Sequence, residues 1–301
     1  MSGITPHSGT LKRTIKEFNA DNLTDAAAAL TYYGVLSIFP GLLVLASLMG
    51  LFGQSATTSM KDVTAVAPGP VRDILTDATT GVAAQPATAG VMAIVGLLAA
   101  LWAASGYIGA FMRASNVVYD VPEGRPIWKT LPLRLAVTIC VGVLLVASAL
   151  IVVLTGQLAG TVGELLGVGA TAVTVWDIAK WPVLVVLVAL IFSILYWASP
   201  NAKVGGPLRQ APGGLVAVGL WLVASAGFAF YVANFASYNK TYGTLGGIIV
   251  FFIWLWVSNL AILFGAELNA ELERGRAIKA GVPETAEPYV ELRDTRSVPT
   301  D

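Results

Sequence analysis

Six stretches of the chain, 26–52, 89–112, 135–159, 181–199, 213–235 and 245–266, run without a single Asp, Glu, Lys or Arg. A helix rising about 1.5 Å per residue needs about 20 apolar residues to cross a hydrocarbon core of roughly 30 Å. Each stretch is close to that length. A helix also satisfies its own backbone in lipid, which an isolated strand cannot do. A transmembrane β-barrel would instead show alternating segments of about 10 residues, a pattern missing here. The pattern therefore predicts an all-α membrane protein with six transmembrane helices. The first stretch follows a polar lead containing Glu17, Asp21 and Asp25 and is longer than the apolar region of a signal peptide, so it reads as a retained span.

The segments between the spans add detail. Residues 10–23 read as a short amphipathic helix, with Leu11, Ile15 and Phe18 on one face and Lys12, Arg13 and Lys16 elsewhere. Such a helix either rests among lipid head groups or serves as a solvated leader to the first span. The long loop at 53–88 has the turn signal Pro68-Gly69-Pro70 between two apolar-rich segments, which predicts a helical outer loop. Trp176 and Trp181 flank Asp177 and Lys180 as an interfacial anchor at the start of the fourth span. The expected organisation is a cytoplasmic N-terminal segment at 1–25, a six-helix domain at 26–272, and a polar, flexible cytoplasmic tail at 273–301.

Composition agrees with the pattern. The 301 residues are 56% hydrophobic and 12% charged, about half the charge of an average soluble domain. Basic residues fix the expected orientation. With the N-terminus inside, Lys12, Arg13, Lys16, Arg113, Arg125, Lys129, Arg134, Lys203, Arg209, Arg274, Arg276, Lys279, Arg293 and Arg296 lie on the cytoplasmic side, against Lys61, Arg72, Lys180 and Lys240 outside. Both termini are thus expected in the cytoplasm of a bacterial inner-membrane protein. Zero formal net charge gives no reason to expect a nucleic-acid partner. The single cysteine, Cys140, cannot form an intrachain disulfide, and the single histidine, His7, lies in the N-terminal segment. No cofactor, metal site or catalytic group is expected.

Two segments are more specific than their hydropathy. The first span reads Asp25-Ala26-Ala27-Ala28-Ala29-Leu30-Thr31-Tyr32-Tyr33, then Ser37-Ile38-Phe39-Pro40. The last runs from Tyr242-Gly243-Thr244-Leu245-Gly246-Gly247 through Trp254-Leu255-Trp256 to Gly265-Ala266-Glu267-Leu268-Asn269. Together they resemble the YihY/BrkB family of bacterial inner-membrane proteins over about residues 10–275. The resemblance implies six helices with cytoplasmic termini. The family has carried the labels ribonuclease BN and virulence factor without a common chemistry. The chain argues against the first label: its acids are scattered, and it offers neither clustered metal ligands nor a basic groove.

Three groups of polar residues are candidates for function. Asp25, Arg113, Arg134 and Glu267 fall at the same predicted depth and would form a cytoplasmic-side cluster; alternatively, Asp25 only complements its helix dipole and Glu267 marks the water boundary. Tyr32, Tyr33, Ser37 and Pro40 would line a cavity beside a proline kink that frees a carbonyl near Leu36; alternatively, the freed carbonyl is satisfied by Ser37 or a neighbouring helix. Asn234, Tyr238, Asn239, Lys240 and Tyr242 would form an outer vestibule or an aromatic anchor. The spans carry no ionisable group except tyrosine at mid-depth, which argues against proton coupling through a mid-membrane acid. The expected function is a transporter or translocator of a lipid or amphipathic solute, with membrane lipids as partners and a homo-oligomer left open. The alternative is a non-catalytic scaffold or envelope-assembly factor.

Overall fold

The computed structural model describes residues 6–51, 86–153, 170–234 and 239–298. Its helices are α1 (Pro6–Ala20), α2 (Leu23–Leu51), α3 (Pro86–Val118), α4 (Ile127–Val153), α5 (Ala170–Ala198), α6 (Ala211–Asn234) and α7 (Asn239–Lys279), with a 3-10 turn at Pro207–Gln210 before α6. There is no strand among the described residues, only an isolated antiparallel bridge between Ala202 and Leu292. Among the described residues, five stretches are long and apolar enough to cross a membrane: Ile94–Val118, Ile127–Ser148, Thr174–Ala198, Pro207–Val232 and Gly246–Lys279. The first expected span is helical as α2 but is not among these five, and its side chains from Ile38 to Leu51 lie outside the described residues. The expected outer-loop helices fall within 52–85, which also lie outside them.

Several helices outrun their apolar stretches. α7 has 41 residues, about 60 Å, and continues past Ala266 through Glu267, Glu271, Glu273, Arg274 and Arg276. Ion pairs between neighbouring turns, Arg276 to Glu273 at 2.6 Å and Arg274 to Glu271 at 3.4 Å, support this polar extension.

The chain divides into two compact units, 1–26 with 111–224 and 260–301, and 27–110 with 225–259. The first holds α1, α4 and α5 and segments of the other helices. Its packing depends on small residues, because burial against lipid-like neighbours gains little from releasing water. Gly213 and Gly265 bring α6 and α7 together: a Cβ at Gly213 would lie 2.2 Å from Gly265 O, and one at Gly265 would lie 2.5 Å from Gly213 O and 2.6 Å from the Tyr196 hydroxyl. That hydroxyl donates to Ile262 O at 2.7 Å. Asn269 caps the start of α6, its Oδ1 accepting from Gly213 N–H and its Nδ2 donating to Gln210 O. α1 packs on α7 through Phe18 and Phe264, with ring centroids 5.9 Å apart, and through Arg13 to Glu271 at 2.7 Å. Leu11 and Ile15, one turn apart, stay about half exposed, at 50% and 51%. The apolar face expected of α1 is thus split: Phe18 faces the protein while Leu11 and Ile15 face away from it.

The C-terminal segment differs from the expected flexible tail. α7 persists to Lys279, and the following residues fold back onto the loops after α3 and α5. Asn201, fully buried, is the hub: its Nδ2 donates to Pro122 O at 3.0 Å and to Asp294 O at 2.9 Å, and its Oδ1 accepts from Asp294 N–H at 3.1 Å. Arg293 N–H donates to Asn201 O and Lys203 N–H to Glu291 O. Asp294 also pairs with Lys129 and Arg296, each at 2.8 Å. Hydrogen bonds from Arg296 and Lys129 hold its carboxyl well below the usual range. The approach is so close at Gly124 that a Cβ there would stand 2.0 Å from Asp294 O. Polar residues that suggest disorder in isolation are ordered here because buried polar groups on two other loops need partners.

Candidate functional site

The second unit contains a surface groove of about 310 Å³ lined by Ala28, Thr31 and Tyr32 of α2 and Phe252, Ile253 and Trp256 of α7. The two helices supply it by their 3.6-residue periodicity: 28, 31 and 32 share one face, as do 252, 253 and 256. Its one buried polar lining residue is Thr31, whose hydroxyl donates to Ala27 O at 2.8 Å and accepts from Asn259 Nδ2 at 3.1 Å. Asn259 Oδ1 in turn accepts from the Tyr107 hydroxyl at 2.8 Å. The apolar wall of the groove is therefore backed by a three-residue polar chain. Asn259 had a signal in the sequence: an amide inside an apolar span is costly unless another side chain meets it.

This region contains part of the expected cavity. Tyr32 lines the groove at 59% exposure, and its ring meets that of Tyr33 edge-on at 5.4 Å. Tyr33 instead packs toward α3, where a Cβ on Gly106 would lie 3.2 Å from its ring. Ser37 donates to Gly34 O at 2.7 Å, so it does not serve the carbonyl of Leu36. The backbone stays helical through Pro40, whose side chain lies outside the described residues. So does Tyr238; Asn234, Asn239, Lys240 and Tyr242 have helical backbones, with side chains outside the described set.

The first unit contains the acids. The residues of the expected cytoplasmic-side cluster, Asp25, Arg113, Arg134 and Glu267, differ in exposure. Asp25 and Arg113 are exposed and Arg134 is half-buried, whereas Glu267 is 1% exposed. Helix periodicity explains the exposure of Arg113, which shares an outward stripe with Val117, one turn on, while the rest of that stretch of α3 is buried. Glu267 Oε2 has no hydrogen-bond partner among the described residues. Asp21 sits at the corner between α1 and α2, which turns through the left-handed residue Asn22 at φ 51°. Partial burial, then Asp120 and Glu17, push the Asp21 carboxyl up to about 6. Asp120 is raised by partial burial and by Glu287, against the opposing Arg274.

Among the described residues, no three of His, Cys, Asp and Glu are grouped to hold a metal ion. The model of the family described as Virulence factor BrkB matches residues 14–288. The chain is 29% identical over 269 residues to the ribonuclease-like protein YfkH of Bacillus subtilis, covering 89% of this chain and 96% of the relative. It is 31% identical over 268 residues to a UPF0761 membrane protein of Alteromonas mediterranea, covering 86% and 85%. A UPF0761 membrane protein of Alkalilimnicola ehrlichii is 32% identical over 277 residues, covering 85% of this chain and 56% of that relative. No solved structure matches. With apolar helices of membrane-crossing length and a family match over most of its length, the chain is a multi-pass membrane protein and belongs to the BrkB family.

Proposed function

We propose that this protein moves or accommodates a lipid or amphipathic solute in the bacterial inner membrane, with both termini in the cytoplasm. The groove between α2 and α7 supports this reading: its walls suit an apolar chain, and the Thr31–Asn259–Tyr107 chain behind it supplies a polar contact within lipid-facing helices. The excess of basic residues on one side supports the orientation. The reading is non-catalytic, since the sequence supplies one histidine, His7, which is not among the groove-lining residues, and scattered acids. The ribonuclease-like name of the Bacillus relative is set aside on the same ground. A scaffold whose tail docks a partner is less favoured, because the tail residues Arg293 and Asp294 are engaged within the chain.

The test is mass spectrometry of lipids and small molecules that co-purify with the protein in native-membrane nanodiscs, followed by a lipid-flux assay in liposomes. Ala28→Phe fills the groove from an exposed helix position. One species enriched on the wild type and depleted on Ala28→Phe, together with slower flux, is the expected result. A profile equal to bulk membrane in both, with no flux, refutes the proposal.

A further inference from the structure

We propose that α1 binds an anionic phospholipid surface, with the flank carrying Leu11 and Ile15 in the lipid and Lys12 and Lys16 among the phosphates. The order of residues around the helix carries the argument, at about 3.6 per turn. Thr14, fully buried, lies at the centre of the side turned to the protein. Beside it runs the apolar row of Leu11, Ile15 and Phe18, and next to that row come Lys12, Lys16 and Asn19, all exposed. Phe18 closes the row on Phe264, at the end of the apolar stretch of α7, with ring centroids 5.9 Å apart. Leu11 and Ile15 continue the row past the edge of the protein and keep about half their surface uncovered, at 50% and 51%. Arg13 pairs with Glu271 at 2.7 Å, on the charged turns that follow that apolar stretch. α1 therefore meets α7 where it passes from apolar to charged residues, the level at which a spanning helix enters the head groups. On that flank, hydrocarbon is the cover for Leu11 and Ile15.

The charges select the lipid. Arg13 is committed to Glu271, whereas Lys12 forms no ion pair among the described residues. Lys16 meets Glu17 at 3.1 Å in a contact open to water, which holds weakly and can be exchanged for a phosphate. Glu17 itself is half-buried on the side turned to the protein. Lysine stems lie along an apolar flank and carry their ammonium groups to the head-group layer. A basic row beside an apolar one holds a helix in the interface plane, and each lysine near an anionic surface strengthens the attachment. This surface is separate from the groove and stands whether or not a solute is moved.

Spin labels on the full chain in nanodiscs test the proposal. The single cysteine is first removed by Cys140→Ser, and labels are attached one at a time through Leu11→Cys, Ile15→Cys and, on the opposite flank, Ala20→Cys, all at exposed positions of α1. In nanodiscs of phosphatidylcholine with phosphatidylglycerol, the labels at 11 and 15 should meet dissolved oxygen in preference to a water-soluble nickel chelate, and the label at 20 the reverse. Omitting phosphatidylglycerol, or combining Lys12→Gln with Lys16→Gln, should raise the water-exposed share of the labels at 11 and 15 by about tenfold. Labels at 11 and 15 that meet the chelate freely in the anionic nanodiscs overturn the proposal. Labels shielded from both reagents do the same, because protein, such as a second copy, then covers the row. Lipid exposure that neither the anionic lipid nor the lysines alter also overturns it. Circular dichroism checks that each variant keeps its helix content, and the change of lipid tests the charge requirement without any lysine substitution.

Discussion

Replacing Asn201 by Ala removes three side-chain hydrogen bonds, two holding Asp294 of the C-terminal segment and one tying the loop after α5 to the loop after α3. Asn201 and Asp294 are buried, so Asp294 O and Asp294 N–H lose a partner without gaining water, whereas the bond to Pro122 O is only part-buried. At about 1 kcal/mol for each net hydrogen bond, the loss is about 3 kcal/mol, and more where a polar group stays buried and unpaired. A change of that size raises the local opening constant by about 100-fold. Hydrogen exchange of the full chain in nanodiscs reads this directly. The amides of Lys203, Arg293 and Asp294, which donate to Glu291 O, Asn201 O and Asn201 Oδ1, should exchange about 100-fold faster, while the core of α5 stays protected. Lys203→Ala is the contrast: its pair with Glu291 is exposed on both sides, 59% and 80%, is screened by water, and should contribute little. If Asn201→Ala changes exchange by less than about threefold, or Lys203→Ala matches it, the hub does not hold the segment and the reasoning fails.

Two further predictions concern packing and pH. Gly265→Ala places a Cβ within 2.9 Å of Gly213 O, the Tyr196 hydroxyl and Ala217 Cβ, so it should cost about 1–3 kcal/mol and lower the melting temperature in detergent, whereas Gly142→Ala, which meets nothing within 4 Å, should not destabilise the protein. The Asp21 carboxyl, pushed up to about 6 by partial burial, then by Asp120 and Glu17, retains its proton in the folded chain at pH values where the unfolded chain has lost it. Its contribution is therefore most favourable at low pH and is lost as pH rises from about 4 to 6. The melting temperature of Asp21→Asn relative to wild type should rise across that window and level off above it, and a flat difference would count against the shift.

The limits of sequence reading follow from distance along the chain. Whether a segment can cross a bilayer is a local property of about 20 consecutive residues, so the helical class and the apolar stretches were legible directly, and the motifs around Asp25 and Glu267 carried the family. The helix ends were less legible: α7 runs 13 residues past its apolar stretch because ion pairs one turn apart support a polar helix. The expected cluster of Asp25, Arg113, Arg134 and Glu267 was inferred from depth alone, and depth does not specify the helix face. Asp25 and Arg113 are exposed while Glu267 is buried.

The pairings that matter most were decided only by the tertiary structure. Thr31 meets Asn259 across 228 positions and Asn201 meets Asp294 across 93. Nothing local distinguishes Asn201 from any other loop asparagine, or the tail from a disordered one. A buried amide or carboxyl must find its partner wherever the fold brings one, and that choice is made by packing rather than by neighbours in the chain. Lipid selects the spans residue by residue, so the sequence determines them; the polar contacts depend on which helix faces meet.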